Sequence, residues 1–231
     1  MDLLERFRRQ TPRWEHPDPA VRAEGVRTEV HAEEQPLLER IASEDPDPRV
    51  RKAAVRKLAR ASALGAAAKD GDEGVREAAT ELLLGLALGG PEDDASSALD
   101  VLVETRHLMT VARTAVLPAT RLAALARVDD PRSLAMLART AEDAAVRAEA
   151  LRRVEDFSLL IEVAAKSEHK GIAVAAVDRI DDPEALRSVA GRAAHKAASR
   201  RAQAKLDVLF PPPAPPGPDR PDSTPPQTPV E

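Results

Sequence analysis

Residues 47–51 read Asp47-Pro48-Arg49-Val50-Arg51, and this pentapeptide recurs along the chain with small changes. Its other copies are Asp18-Pro19-Ala20-Val21-Arg22, Asp72-Glu73-Gly74-Val75-Arg76 and Asp143-Ala144-Ala145-Val146-Arg147. The valines of the second and third copies, Val50 and Val75, are about 25 residues apart, a period within the range that is typical of repeat architectures. The pentapeptide therefore predicts an array of short repeated units.

A second marker keeps nearly the same period in the other half of the chain. Acidic pairs occur at Asp129-Asp130, Glu155-Asp156 and Asp181-Asp182, so that successive pairs are evenly spaced. Two of the pairs are followed by proline, at Pro131 and Pro183. The period thus continues through both halves, which predicts repeated units of about 25–26 residues.

Each unit is predicted to contain two short amphipathic helices. In the first helix, Val146, Ala150 and Val154 recur at four-residue spacing, which places them on one face. The second helix has Leu134, Leu137, Ala138 and Ala141 on one face. An aspartate before a proline supplies an N-cap acceptor followed by a residue that tolerates the first helical position. The predicted N-caps are Asp18, Asp47, Asp130 and Asp182.

The composition supports an all-α fold. Of the 231 residues, 43% are hydrophobic and 32% charged, but only 2% are aromatic. Strands favour aromatic and β-branched residues, whereas the alanine, leucine, arginine and glutamate that dominate this chain favour helices. We therefore predict an all-α, right-handed α-solenoid of about seven short units, in which many small contacts replace a few large ones.

The predicted solenoid covers residues 1–209, with one irregular insertion at about 89–117 that begins at Gly89-Gly90-Pro91. A helix at 3–9 is predicted to precede the first unit, and Trp14 to cap its open end. Residues 210–231 are rich in proline and poor in large apolar side chains, so we predict a disordered tail with polyproline character that serves as a linker or as a solubilising tail.

The DPxVR opening, the two-helix unit and the acidic turn resemble bacterial HEAT-like repeat proteins between Trp14 and Leu209. The later units also resemble the helical-repeat region of a bacterial family of unknown function whose members usually continue into charged coiled coils. That second resemblance rests on the segments 170–182 and 195–198 together with Leu186 and Ala190. Here the chain continues into the proline-rich tail instead. Both resemblances imply a helical-repeat fold, and HEAT-like arrays generally bind partners along one surface.

Several function classes lack their sequence signals. The chain has no cysteine, and its five histidines are not paired at metal-binding spacing, so we predict neither metal nor cofactor. No GxSxG, HExxH or phosphate-binding glycine loop occurs, and we predict that the protein is not an enzyme. The charged N-terminal stretch and the lack of a long apolar segment indicate a cytoplasmic protein without a membrane span.

The arginine of each Val-Arg pair is expected to lie in a structural ladder. Stacked units would align the guanidinium groups, and an acidic residue of the neighbouring unit would accept bidentate hydrogen bonds. The members of this arginine ladder are Arg22, Arg51, Arg76 and Arg147.

A basic stripe near the end of the predicted fold is the tentative binding site. No acidic residue occurs between Glu184 and Asp207, and three of the basic residues are spaced by four, which places them on one helical face. The basic stripe consists of Arg187, Arg192, Lys196, Arg200, Arg201 and Lys205. Such a stripe suits RNA, DNA or an acidic protein. The alternative is the polar outer face that the terminal unit of a solenoid requires.

The expected function is a non-catalytic, monomeric scaffold that recognises a protein partner on the concave surface of the solenoid. Nucleic-acid binding through the basic stripe and the arginine ladder is the alternative. A third hypothesis, which follows from the HEAT-like resemblance, is a lyase or an alkyl-base glycosylase. The scarcity of aromatic side chains disfavours it, because an alkyl-base pocket needs aromatic walls and the only tryptophan is Trp14.

Overall fold

The computed structural model describes residues 11–211. Within this range the chain forms 14 α-helices and no β-strand, which confirms the all-α solenoid prediction. The predicted helix at 3–9 and the tail beyond Pro211 lie outside the described residues. The helices are α1 (Pro19–Thr28), α2 (Gln35–Glu44), α3 (Pro48–Val55), α4 (Ala61–Ala67), α5 (Glu73–Gly89), α6 (Glu92–Val101), α7 (Thr105–Thr114), α8 (Pro118–Ala126), α9 (Pro131–Thr140), α10 (Ala144–Arg153), α11 (Phe157–Lys166), α12 (Lys170–Asp178), α13 (Pro183–Arg192) and α14 (Lys196–Leu209).

The helices form two rows. Each helix from α2 to α14 packs against a neighbouring helix in the chain, and every helix packs against the helix two places before or after it. The odd-numbered helices therefore make one row and the even-numbered helices the other. Short turns reverse the chain after each helix, so all helices of one row run in the same direction. None of the helices in residues 11–211 is both long and apolar enough to cross a bilayer.

Backbone hydrogen bonds join the ends of the odd-numbered helices along one edge of the array. Val116 N donates to Leu88 O at 2.8 Å, and Ala194 N donates to Ala165 O at 2.8 Å. We call this edge, where odd-numbered helices end, the second edge. The first edge is the one at which they begin.

Helices α7 to α14 repeat with a constant period and no insertion. The same buried position of the α7-type helices is occupied by Leu108, Leu134, Leu160 and Leu186, and that of the following helices by Ala124, Ala150, Ala176 and Ala202. Helix α7 thus belongs to the regular array, although its residues fall within the predicted insertion at 89–117. Helix α6 keeps this period too, because its buried Ala98 and Leu99 lie one unit before Ala124 and Leu125, so the irregularity lies at the junction of α5 and α6.

The junction of α5 and α6 exchanges the roles of the two rows. We call helices that begin with the pentapeptide or at the equivalent point of a later unit A helices (α1, α3, α5, α6, α8, α10, α12 and α14) and the others B helices (α2, α4, α7, α9, α11 and α13). Up to α5 the A helices lie in the odd-numbered row, and from α6 onward they lie in the even-numbered row, because α5 and α6 follow each other with no B helix between them. Each face of the array is thus built from A helices in one half and B helices in the other.

Aspartates at the helix starts act as predicted. The side chains of Asp18 and Asp47 accept hydrogen bonds from the second residue of α1 and α3, and those of Asp130 and Asp182 accept bonds from the third residue of α9 and α13. Proline occupies the first position of all four helices. Such a cap contributes about 1 kcal/mol by satisfying an otherwise unpaired N–H group.

Basic side chains satisfy the opposite helix ends, a feature that the sequence analysis missed. Arg153 donates to the carbonyls of Leu125 (2.6 Å) and Val128 (2.7 Å), where α8 ends. Arg127, Arg179 and Lys205 make the corresponding contacts with α6, α10 and α12, and Lys57 does so for α1. We call these five residues the C-cap cations. A positive charge is favourable there because the helix dipole places negative charge at its end.

The core consists of alanine, leucine, valine and isoleucine, and no aromatic side chain is fully buried within residues 11–211. At the start of the array, a short 3-10 turn at Arg13–Glu15 packs against α1, and Trp14 lies half-buried against the core. Gly25 permits this approach, since a β-carbon there would lie 2.5 Å from the Trp14 backbone nitrogen.

Candidate binding groove between helices α5 and α7

Two arginines of the predicted ladder hold an aspartate in the same way. Arg22 donates through Nε and Nη2 to Asp45 at 2.8 and 2.9 Å, and Arg51 does so to Asp70 at 2.8 and 2.7 Å. In both, Nη1 donates to the carbonyls six and five residues earlier. The backbone contacts orient the guanidinium group, and its remaining edge binds the carboxylate of the next unit.

The Arg51–Asp70 pair is largely buried, with 16% and 11% of the two side chains exposed. The hydrogen bond from Arg51 holds the pKa of Asp70 below its ordinary value, and the same bond raises the pKa of Arg51. Asp70 also accepts a hydrogen bond from the backbone N–H of Asp72 at 2.8 Å. This aspartate therefore joins two units and fixes the turn between them.

Arg76 has the same orientation but no aspartate. Its Nη1 donates to the carbonyls of Asp70 (2.9 Å) and Gly71 (3.0 Å), six and five residues earlier. Among the described residues, no carboxylate oxygen lies within 4.0 Å of its guanidinium nitrogens. The nearest equivalent turn follows α6, where Leu102 and Val103 replace an acidic residue and Glu104 pairs with Arg106 at 2.6 Å. The Nε and Nη2 edge of Arg76 is thus without an ionic partner in the described chain.

Arg147 lies at the second edge, so the four arginines do not form one continuous ladder. The physical reason is the row exchange at α6, which reverses the direction of the A helices. Arg147 binds the carbonyls of Ala141 (2.8 Å) and Glu142 (2.5 Å) in the same way as the others. In the preceding unit the equivalent Arg121 pairs with Asp143 at 3.3 Å. One unit later, the position that corresponds to Asp143 is occupied by His169, so Arg147 has no such aspartate.

A groove adjoins Arg76 between α5 and α7. One cavity of about 470 Å³ is bounded by the exposed sides of the two helices, and a second of about 310 Å³ extends toward the end of α6. The two cavities share Arg76, Thr80, Glu104 and His107, so they form one continuous groove. Arg76 and Thr80 lie where the two cavities meet.

The walls of the groove differ in chemistry. The first cavity is lined by four glutamates, Glu73, Glu77, Glu81 and Glu104, together with Arg76 and Arg106. The second cavity is lined by the apolar residues Ala68, Leu83, Val101, Leu102 and Val103, of which Leu83 and Leu102 are buried, and also by the exposed Lys69. Val103 is 76% exposed, whereas most valines of this chain are buried. The groove therefore combines an oriented cation, an acidic wall and an exposed apolar wall.

The basic stripe is divided in the structure. Arg192 ends α13 and Lys196 begins α14, so the prediction that Arg192, Lys196 and Arg200 share one helical face was wrong. The turn at 193–195 breaks the four-residue spacing. Arg201 pairs with Asp178 at 2.6 Å, and Lys205 binds Asp181 at 2.8 Å as one of the C-cap cations. Arg187, Arg192, Lys196 and Arg200 remain exposed.

Two residues of the last unit mark the end of the array. Arg187 is exposed where the equivalent Ala135 is buried, and Gln203 is exposed where the equivalent Leu151 is buried. The exchange of apolar for polar side chains is what a terminal repeat needs, because no further unit covers it. Part of the basic stripe thus belongs to a polar end cap.

No group of three or more acidic residues and histidines in residues 11–211 is placed to hold a metal ion. No family profile matches this chain, and no curated protein or solved structure is significantly similar to it. The groove is therefore interpreted from its own geometry.

Proposed function

We propose that this protein is a non-catalytic binding scaffold and that it recognises a protein partner in the groove between α5 and α7. The observation that carries the proposal is the joining of the two cavities at Arg76, which places charged and apolar walls side by side. Protein interfaces combine an apolar centre with oriented polar groups, and arginine is enriched in them. The sequence predicts a protein partner on the concave surface of a HEAT-like array, and we assign that partner to this groove.

The charges of the groove favour a protein over a nucleic acid. Four glutamates line the first cavity, and they repel a phosphate backbone that needs several lysine or arginine contacts. The basic stripe supports nucleic-acid binding less well than its sequence suggests, since Arg201 and Lys205 are engaged within the fold. Nucleic-acid binding is therefore not a second proposal, but the experiment below can detect it.

The test is affinity capture from a lysate of the native cells with three forms of the full chain, each with and without nuclease. Thr80→Trp places a large side chain where the two cavities meet, because Thr80 lines both. Thr110→Trp is the matched control, since Thr110 is exposed on α7 and lines neither cavity. Circular dichroism melting should show that all three forms are folded.

We expect a protein that is retained by the wild type and by Thr110→Trp, that is lost with Thr80→Trp, and that nuclease does not remove. Equal retention by Thr80→Trp and the wild type would exclude the groove as the site. If nuclease abolishes the retention, the protein binds nucleic acid instead. The residues to substitute would then be the exposed cations Arg187, Arg192, Lys196 and Arg200.

A further inference from the structure

The arginine ladder itself shows what Arg76 is built to bind. In Arg22 and Arg51 the same backbone contacts are combined with a bidentate aspartate, with four N–O distances of 2.7 to 2.9 Å. Arg76 keeps the backbone contacts, so its guanidinium group is already oriented before any ligand arrives. Preorganisation of this kind reduces the entropic cost of binding, because the side chain is held by other bonds.

The neighbouring turn does not supply the missing acceptor in the described structure. Leu102 is buried there, Val103 carries no polar group, and the carboxylate of Glu104 is engaged by Arg106. The space in front of Arg76 is instead open as the groove described above. A carboxylate from another molecule can therefore occupy the place that Asp45 and Asp70 occupy beside Arg22 and Arg51.

From these contacts we infer that the groove takes an extended segment of the partner protein in which an aspartate or glutamate side chain accepts hydrogen bonds from Nε and Nη2 of Arg76. This inference rests on the proposed function. A large apolar residue of the same segment lies against Val101 and Val103, which line the second cavity. The glutamates of α5 favour basic residues elsewhere in the segment and disfavour ligands that carry several negative charges.

The probe for this inference is a library of random peptides displayed on phage and selected against the intact protein. We expect the selected peptides to share an acidic residue next to a large apolar one. Arg76→Gln should weaken their binding by about 30-fold or more, because it removes one partner of a desolvated charge pair. Replacing the shared acidic residue of the peptide with its amide should weaken binding to the wild type by a similar factor.

Arg147→Gln is the matched control for Arg76→Gln. Arg147 makes the same two backbone contacts and also lacks a carboxylate partner in the described chain, but it lies at the second edge. Its substitution should change stability similarly and leave peptide binding unchanged. Val103→Asp tests the inference without removing Arg76. It introduces a carboxylate on the groove wall at a position that is 76% exposed, and it should also weaken the binding of acidic peptides because the two negative charges repel each other.

The outcomes separate this inference from the proposed function. The inference is overturned if Thr80→Trp abolishes the binding of peptides that lack an acidic residue. It is also overturned if peptides whose binding Thr80→Trp abolishes bind Arg76→Gln as tightly as the wild type. Both results leave the groove as the binding site. Peptides that Thr80→Trp does not affect contradict the groove itself. A selection that yields no binding peptide also overturns the inference.

Discussion

Arg51 and Asp70 show how a single pair joins two units. Their two short hydrogen bonds are shielded from water, since 16% and 11% of the side chains are exposed. The Arg49–Asp47 pair has comparable distances, but 63% of the Arg49 side chain is exposed. Exposed ion pairs contribute little because water screens them and the side chains lose entropy, whereas shielded hydrogen bonds to charged groups contribute more.

Asp70→Asn is expected to lower the free energy of unfolding by about 2 kcal/mol, because it removes the charge of the pair. The amide oxygen can still accept the bond from Asp72, so the turn is retained. Urea denaturation measures the change. Arg49→Gln is the control and should have a clearly smaller effect, and equal losses for the two variants would show that burial of the Arg51–Asp70 pair does not matter.

Acid is expected to destabilise the protein through its capping and paired carboxylates. The pKa values of Asp70, Asp130 and Asp143 lie below the ordinary value of 3.8, chiefly because of hydrogen bonds from Arg51, Ser133 and Val146, and the bond from Arg49 lowers that of Asp47 to about 2. Below about pH 4 the unfolded chain therefore binds more protons than the folded chain, so stability falls as the pH falls.

The measurement is the urea midpoint as a function of pH. These carboxylates should contribute constant stability above about pH 5 and lose it progressively as the pH falls through their folded-state pKa values. Asp70→Asn should make the decline less steep, since it removes one of the shifted groups. A midpoint that rises on acidification would contradict the assignment.

At the scale of the helix, the C-cap cations are the feature that holds successive units in register. Arg153→Gln is expected to cost about 2 kcal/mol, because the carbonyls of Leu125 and Val128 lose a charged donor. The neighbouring Arg152→Gln is a matched control, since the Arg152 side chain is 71% exposed and pairs only with Glu149 of its own helix. Thermal melting compares the two, and a larger loss for Arg152→Gln would refute this role.

His169 begins α12 without a capping side-chain bond, unlike Asp143 at the start of α10. His169→Asp is expected to stabilise the protein by about 1 kcal/mol, because it restores an N-cap. It also places a carboxylate where Arg147 lacks one, by analogy with Arg121 and Asp143. Denaturation of this variant beside Asp143→His, which should be destabilised, checks the prediction, and a less stable His169→Asp would contradict it.

The whole array could be predicted from its sequence where the pattern is strictly periodic. The Asp-Pro pairs at Asp47 and Asp182 indicate helix starts, and the acidic markers predict the period, because capping and repetition are local features. The C-cap cations were also visible in the sequence, since Arg127, Arg153, Arg179 and Lys205 recur at the same even spacing as the acidic pairs. Their role became clear only when the facing carbonyls were known.

The groove could not be predicted in this way. It forms where α5 and α6 meet without a B helix between them, and the edge of Arg76 that is unpaired within residues 11–211 depends on which residues of the turn after α6 face it. The stripe prediction failed for a related reason. A spacing of four residues defines one face only within a single helix, and the turn between Arg192 and Lys196 separates two helices.

The unbroken period makes a prediction for the entire molecule. Deleting residues 131–156 removes one whole unit and brings Arg179 opposite Leu125 and Val128, so the shortened chain should fold with similar helicity per residue and reduced stability. Deleting residues 131–152 instead shifts every later contact by four positions. Circular dichroism and urea denaturation distinguish the two, and similar behaviour of both deletions would show that register is unimportant.

The row exchange at α6 also bears on how such a gene can change. Between Thr105 and Leu209, gain or loss of a whole unit by in-frame duplication or deletion restores each cap and each apolar stripe, so selection can tolerate proteins of different length. Around α5 to α7 no such freedom exists, because an added unit would separate α5 from α7, whose side chains line the groove. Related genes should therefore vary in the number of their later units while the segment encoding α5 to α7 keeps its length.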